Sequence, residues 1–326
     1  MKRKVKWGIL STASIGTEHV IPAMINGEYC DIQAIASRSL EVASSVAARF
    51  DIPGAYGSYE ELLLDPEIEA VYIPLPNHLH VPWAIKALQA GKHVLVEKPI
   101  GLSSEEAMKL LEESGKHPKL KVMEAFMYRH HPQWVKTKEL VKDGTIGSLR
   151  TIQSSFSFYL DDPEHIVNKK EYGGGSLMDI GCYPISLSRF LFDEEPKKVY
   201  ANVEVHPEFQ TDTMVTAILE FEQGTSSFFS STLMTDNQQV VIFGTIGRIE
   251  FEIPFTPAAG QPAKIWLHRG DQKEEILFDP CDQYTLQGDL FSLAILNESE
   301  VPTPLKDAVD NMKVIERLLK GRDIGY

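Results

Sequence analysis

The sequence predicts two α/β domains in tandem: a doubly wound parallel sheet, then an α+β domain built on a large open, mostly antiparallel sheet. Three observations carry this. The chain has 326 residues, and roughly 100–200 residues per domain makes two. Up to about residue 145, short β-rich runs alternate with longer amphipathic runs, the pattern of repeated βα units. Beyond Gly144-Thr145-Ile146-Gly147, β-rich runs follow one another with few helical segments between them, as antiparallel pairing requires.

In the first half, Val5 to Leu10 has the continuous apolar character of a buried strand, and a helix follows through Val20, Ile21, Met24 and Ile25. Asp31 to Ser37 reads as the next strand and Leu40 to Phe50 as its helix. Ala70 to Leu75, a helix through Ala84, Ile85 and Leu88, and His93 to Glu97 continue the series. Ser103 with Glu106 three residues on is a capping box and starts another helix. Val122 to Phe126 closes the sheet, and Trp134 to Val141 is helical. In the second half the strands are Leu149 to Tyr159, Lys197 to Val205, Thr213 to Phe221, Ser226 to Leu233, Gln239 to Phe243, Arg248 to Ile253, Ala263 to His268 and Glu274 to Phe278. Gly224 and Gly247 stand where tight hairpins are needed. Helices are expected over Ser176 to Phe190, Tyr284 to Leu296 and Lys306 to Lys320, and the last of these fits either domain.

Composition narrows the function. Hydrophobic residues make up 43% and charged residues 24%, with a net charge of −14. A surface this acidic repels phosphate backbones and anionic lipids, so neither nucleic acid nor membrane is an expected partner. The apolar run after Met1-Lys2-Arg3-Lys4 stops at Leu10, too short for a signal-peptide core. The three cysteines, Cys30, Cys182 and Cys281, are widely spaced and odd in number, which suits a reducing cytoplasm. The pairs His78 and His80, and His130 and His131, have no acidic or cysteine partner at ligand spacing, and no metal is expected.

The first strand runs into Ser11-Thr12-Ala13-Ser14-Ile15-Gly16 at a strand-to-helix turn. A Rossmann domain carries G-x-G-x-x-G there, so that the turn is tight and the pyrophosphate can approach the backbone. Here Ser11 and Ala13 replace the first two glycines and Gly16 keeps the third. All three residues are small, which leaves room for phosphate at the helix N-terminus. An ordinary βα turn is the plain alternative. The second strand ends Ala36-Ser37-Arg38, with no carboxylate to hold a ribose 2′-hydroxyl. Ser37 and Arg38 offer instead a hydroxyl and a guanidinium, groups suited to a 2′-phosphate. The expected cofactor is therefore NADP in preference to NAD, a solvated surface Arg38 being the alternative.

Several segments together resemble the glucose–fructose oxidoreductase/inositol dehydrogenase (Gfo/Idh/MocA) family. They are Trp7-Gly8-Ile9-Leu10-Ser11-Thr12-Ala13, Pro74-Leu75-Pro76-Asn77-His78-Leu79-His80 and Gly91-Lys92-His93-Val94-Leu95-Val96-Glu97-Lys98-Pro99. Glu124-Ala125-Phe126-Met127-Tyr128-Arg129 and Gly173-Gly174-Gly175-Ser176-Leu177-Met178-Asp179-Ile180-Gly181-Cys182-Tyr183 complete the set. The resemblance implies a dinucleotide-binding domain over residues 1–125 and a substrate-binding and oligomerisation domain over 126–326. It also implies a homodimer or tetramer joined through the open sheet. The lysine of the Glu-Lys-Pro motif, here Lys98, is implied to lie beside the reacting carbon. Leu75, Asn77, His80 and Glu97 are implied to lie beside the cofactor, and Arg129 to line the cleft or bridge the domains. Many members have histidine four residues after the motif aspartate. Tyr183 stands there instead, which resembles the dihydrodiol and D-xylose dehydrogenase branch, where tyrosine moves the proton. A tyrosine ordinarily titrates near 10, and an ammonium such as that of Lys98 would favour its ionised form. Asp179 and Tyr183, four apart on a helix, share a face, so Asp179 could orient a second hydroxyl. The activity implied is a dehydrogenase or reductase that moves a hydride between nicotinamide and the hydroxyl-bearing carbon of a sugar, polyol or dihydrodiol. The same family leaves open an NAD-dependent glycosidase with transient hydride transfer and a non-catalytic dinucleotide-binding regulator.

Overall fold

The computed structural model describes residues 2–321; residues 1 and 322–326, which the domain ranges above include, lie outside the described residues. The chain divides into two compact units, Met1–Met127 with Asp282–Val309, and Tyr128–Cys281 with Asp310–Tyr326.

The first unit is built on strands β1 (Val5–Leu10), β2 (Cys30–Ala36), β3 (Gly54–Tyr56), β4 (Ala70–Ile73), β5 (His93–Val96) and β6 (Val122–Glu124). All pair in parallel, in the order β3-β2-β1-β4-β5-β6. The chain travels outward from β1 to β3, then returns to place β4 on the other side of β1. That reversal creates a switch point beyond the carboxyl ends of β1 and β4, where sheets of this kind bind ligands. The helices are α1 (Ile21–Ile25), entered through a π-helical turn at Ile15–Val20, α2 (Leu40–Arg49), α3 (Tyr59–Leu64), α4 (Asn77–Gln89) and α5 (Ser104–Lys116).

The sequence expectation missed β3 and α3, because three half-buried residues and six helical ones are too short for a period to register. The capping box at α5 is modified. The Ser103 hydroxyl accepts from the Glu106 N–H, but the Glu106 carboxylate accepts from the Leu102 N–H, one residue earlier than the motif predicts.

Trp7, Ile9, Ile35, Tyr72, Leu95 and Met123 are among the buried side chains of this unit's core. Helix α8 (Gln283–Leu296), from the far end of the sequence, completes it. Phe291 packs against Trp7 at 5.6 Å between ring centres, and the Trp7 indole N–H donates to the Ser292 hydroxyl at 3.1 Å. Burying an aromatic of this size stabilises by roughly 1.5–3 kcal/mol.

The second unit holds an eight-stranded sheet, β7 (Leu149–Tyr159), β8 (Lys198–Val205), β9 (Asp212–Glu220), β10 (Thr225–Ser231), β11 (Leu233–Gly244), β12 (Gly247–Phe251), β13 (Ala263–Arg269) and β14 (Gln272–Phe278). The order is β14-β13-β12-β11-β7-β10-β9-β8, antiparallel except where β10 lies parallel to β7. β11 is one long strand where the sequence reads only Gln239 to Phe243. Its polar start, with Thr235 and Asp236 exposed, passes for a turn, and the ladder to β7 shifts register between Leu233 and Asn237.

Helices α6 (Pro132–Lys142) and α7 (Cys182–Phe192) belong to this unit, and α9 (Leu305–Lys320) divides, residues 305–309 going with the first unit and the rest with the second. Along β9 and β10, Val215, Ala217, Leu219 and Phe228 are buried, while Tyr200 of β8 and Ile218 of β9 stand 52% and 47% exposed on the other face. Among the described residues no helix is long and apolar enough to cross a membrane, and no group of three or more His, Cys, Asp or Glu could hold a metal ion.

Candidate active site

In the first unit the sequence-predicted residues gather at the carboxyl ends of the strands. β1 ends on Leu10, fully buried, and Ser11 follows with φ +145°. This is backbone that favours glycine, so the first fingerprint position keeps a glycine conformation under a serine side chain. The Ser11 hydroxyl accepts from the Ala13 N–H at 3.1 Å and closes the turn. The helix then opens through Ser14 and Ile15, with its first return bond from the Thr17 N–H to the Ala13 carbonyl. The opening amides of a helix have no partner within it, and with small Thr12 and Ala13 beside them they fit a pyrophosphate. At the end of β2 the Ser37 N–H donates to the Tyr56 carbonyl at 3.2 Å. Arg38 is exposed, and among the described residues it has no ion-pair partner.

Beyond β4 and β5 the chain is cross-braced around Lys98. The buried His80 ring lies between two backbone carbonyls, with Nε2 at 2.6 Å from Leu75 O and Nδ1 at 2.7 Å from Pro99 O. Burial pushes the His80 pKa down to about 4, and the Lys98 charge adds to that, while both carbonyls oppose it. A neutral ring carries one N–H and so donates to only one of these carbonyls, tying α4 to the backbone of Leu75 or of Pro99, the residue after Lys98. The buried Glu97 accepts from the Tyr72 hydroxyl at 2.6 Å and from the Lys98 backbone N–H at 3.2 Å. Asn77 opens α4 at the same strand end, and Lys98 is half-buried.

Tyr284, which sequence reasoning did not single out, belongs to this cluster. Burial raises its phenol pKa, the Glu97 charge adds to this and the Lys98 charge opposes it. Its ring stacks on His19 at 5.7 Å. No local signal marks it, because 187 or so residues of chain separate it from Glu97, a separation only the fold closes.

In the second unit Tyr183 sits in the first turn of α7, nearly buried, with Tyr128, Phe156 and Phe255 at 5.7, 5.5 and 5.4 Å between ring centres. Asp179 lies half-buried in the π-helical turn Leu177–Gly181 that leads into α7. The Gly173-Gly174-Gly175 approach has a steric basis: a Cβ on Gly174 would come within 2.3 Å of the Val167 carbonyl oxygen. Arg129 is turned onto the same helix. Its Nε donates to the Ser186 hydroxyl at 3.0 Å and its Nη2 to the Ser186 carbonyl at 3.1 Å, with the guanidinium over the Phe190 ring. The Tyr128 and Ser186 hydroxyls lie 2.8 Å apart. The two residues that end the Glu124–Arg129 segment therefore bolt α7 in place one turn beyond Tyr183. His130 and His131 are both buried, and burial lowers each pKa to about 4; His131 caps α6 by accepting from the Gln133 N–H.

Known proteins resemble this chain over both units. Residues 5–126 match the oxidoreductase family with the NAD-binding Rossmann fold, and residues 134–250 match the GFO/IDH/MocA C-terminal domain. An uncharacterized oxidoreductase of Rhizobium meliloti is 42% identical over 98% of both chains. A D-xylose 1-dehydrogenase (NADP(+)) of Haloferax volcanii is 36% identical over 98% of both. Among solved structures, a 3-ketoreductase from Actinomadura kijaniata in complex with NADP and TDP-benzene superposes with a TM-score of 0.91 at 27% identity, over 98% of each chain. Fold, strand-end cluster and sequence similarity over nearly the whole length lead to one assignment: the chain belongs to the Gfo/Idh/MocA family of oxidoreductases with an NAD-binding Rossmann fold.

Proposed function

We propose that this chain is an NADP-dependent dehydrogenase or reductase acting on a CH–OH carbon of a sugar, polyol or dihydrodiol. The observation that carries the reading is the setting of Lys98, half-buried beyond β5 between Glu97, whose carboxylate accepts from the Lys98 N–H, and Pro99, whose carbonyl lies 2.7 Å from the His80 ring. A relative named as a D-xylose 1-dehydrogenase (NADP(+)) and a 3-ketoreductase structure holding NADP support it.

Residues 1–125 serve as the dinucleotide-binding domain. Ser11, Thr12, Ala13, Ser14 and Ile15 receive the pyrophosphate, and Ser37 and Arg38 the 2′-phosphate. Leu75, Asn77 and Glu97 line the ribose and nicotinamide, with the His80 ring between the Leu75 and Pro99 carbonyls. When bound, the nicotinamide supplies the hydride acceptor or donor. Lys98 holds the substrate oxygen by its ammonium. Tyr183 takes the hydroxyl proton in oxidation and returns it in reduction, and Asp179 orients a neighbouring hydroxyl. Arg129 contributes by fixing α7. Residues 126–326, apart from Asp282–Val309 of the first unit, supply the substrate groups and the oligomer interface, a homodimer or tetramer through the exposed sheet face. We place the protein in the cytoplasm, in keeping with its free cysteines, two of them buried.

The test is a panel of aldoses, inositols and diols, followed at the NADPH absorbance in both directions. Turnover of at least one class is expected, with Lys98→Ala and Tyr183→Phe each reducing kcat by about 10²–10⁴ while NADP still binds. Near-normal kcat in either variant would overturn the assignment of roles.

A further inference from the structure

We propose that Asp212 is the positioning residue for the helix that carries Asp179 and Tyr183: its carboxylate, reaching over from the start of β9, anchors the first turn of that helix and so sets where the phenol stands. This rests on the reading of Tyr183 given above.

The helix needs such an anchor. It opens at Ser176 and is π-wound over Leu177–Gly181 before becoming α7, and the Ser176 side chain makes no cap of its own. The first amides of any helix lack partners within it. Asp212 supplies what the local sequence does not. Its buried carboxylate accepts from the Leu177 N–H at 2.7 Å and from the Ser176 hydroxyl at 3.0 Å. A carboxylate in this place is also favoured by the helix dipole. Ser230 of the adjacent strand β10 adds a second hold, its hydroxyl 3.2 Å from that of Ser176. The approach is shaped to admit the carboxylate. Gly175 has φ +122°, and a Cβ there would lie 2.2 Å from the Asp212 carboxylate oxygen. Any side chain at 175 would therefore both strain the backbone and expel the anchor.

The consequence is geometric. Tyr183 follows Leu177 by six residues, less than two turns along the helix. Farther along, Ser186 is gripped by Tyr128 and Arg129. The helix is thus held on both sides of Tyr183, and loss of one hold lets it tilt about the other. Displacement of a reacting group by about 1 Å can cost on the order of 10²-fold in rate.

Asp212→Ala, Asp212→Asn and Tyr183→Phe are compared with the wild type in three measurements: hydrogen exchange over residues 176–183, NADP⁺ affinity by fluorescence, and oxidation of D-xylose, or of the best panel substrate if D-xylose is inert. For Asp212→Ala we expect exchange over 176–183 to rise about tenfold and kcat to fall by about 10–100-fold, with NADP⁺ affinity within about twofold. Asp212→Asn retains an oxygen for the Leu177 N–H and is expected to recover most of the loss, which a general loss of stability would not explain. A folded Asp212→Ala variant with wild-type exchange or unchanged kcat overturns the proposal. If that variant does not fold, Asp212→Ser takes its place, a shorter side chain that gives up the carboxylate but keeps a polar group at the site, and an unchanged kcat and exchange there overturn the proposal equally. An active Tyr183→Phe overturns the reading of Tyr183 and leaves the exchange result to decide the anchor.

Discussion

Arg38 shows how much one side chain can decide. It stands exposed at the end of β2 with no ion-pair partner among the described residues, next to Ser37, where a carboxylate would favour a bare ribose. A guanidinium on a phosphate contributes roughly 1.5–3 kcal/mol. Arg38→Ala is therefore expected to lower kcat/KM for NADP by about 10–100-fold and leave that for NAD nearly unchanged. Equal losses with both cofactors, in parallel steady-state assays, would sink the assignment. Ser11 makes the complementary point. The turn that glycine normally makes is kept in shape, φ +145°, with the hydroxyl stitched to the Ala13 N–H. A pattern search for glycines misses this turn because the pattern records residue type and the turn requires a backbone conformation.

At the scale of elements, the sequence was legible where elements are long and periodic. β1, β7 and β13, and the closing helices α8 and α9, fall within a residue or two of their expected positions. It was opaque where an element depends on a distant partner. β11 reads as a short apolar strand with a polar lead, and only its pairing with β7 shows the lead to be strand. The candidate site divides the same way. Lys98, Asp179 and Tyr183, the residues proposed for the reaction, stand out in the sequence because they sit in motifs. Asp212, Tyr284 and Ser186 were not, because each acts through contacts with residues far along the chain, and nothing in a run such as Thr211-Asp212-Thr213 says what will lie opposite. Arg129, expected to line a cleft, is drawn to α7 by hydrogen bonds that spacing alone could not disclose.

At the scale of the molecule, the eight-stranded sheet has one face covered by helices and one that shows apolar side chains. Tyr200 and Ile218 are direct cross-strand partners on it. Stable interfaces bury about 1,200–2,000 Å², which a sheet face can supply. For the oligomer proposed above, Ile218→Glu is expected to yield monomer in light scattering; a wild-type mass for the variant would place the interface elsewhere.

A second whole-molecule property is acid sensitivity. Burial lowers the pKa of His80, His93, His130 and His131 from 6.5 to about 4. The unfolded chain then binds protons that the folded one refuses, so stability is fully present above about pH 6.5 and declines as pH falls toward 4. Thermal melts across that window should show Tm dropping with pH. A flat profile would mean that these rings are protonated in the fold.

The bond from Trp7 to Ser292 ties the third residue of the first strand to a helix made long after it. At roughly 5–20 residues per second, the ribosome takes on the order of ten to thirty seconds to pass from the end of β6 to that helix. Throughout that interval the nascent first sheet has all its strands and lacks Phe291 over Trp7. Until α8 is made, the side of β1 that carries Trp7 lacks the cover that Phe291 gives it in the finished fold.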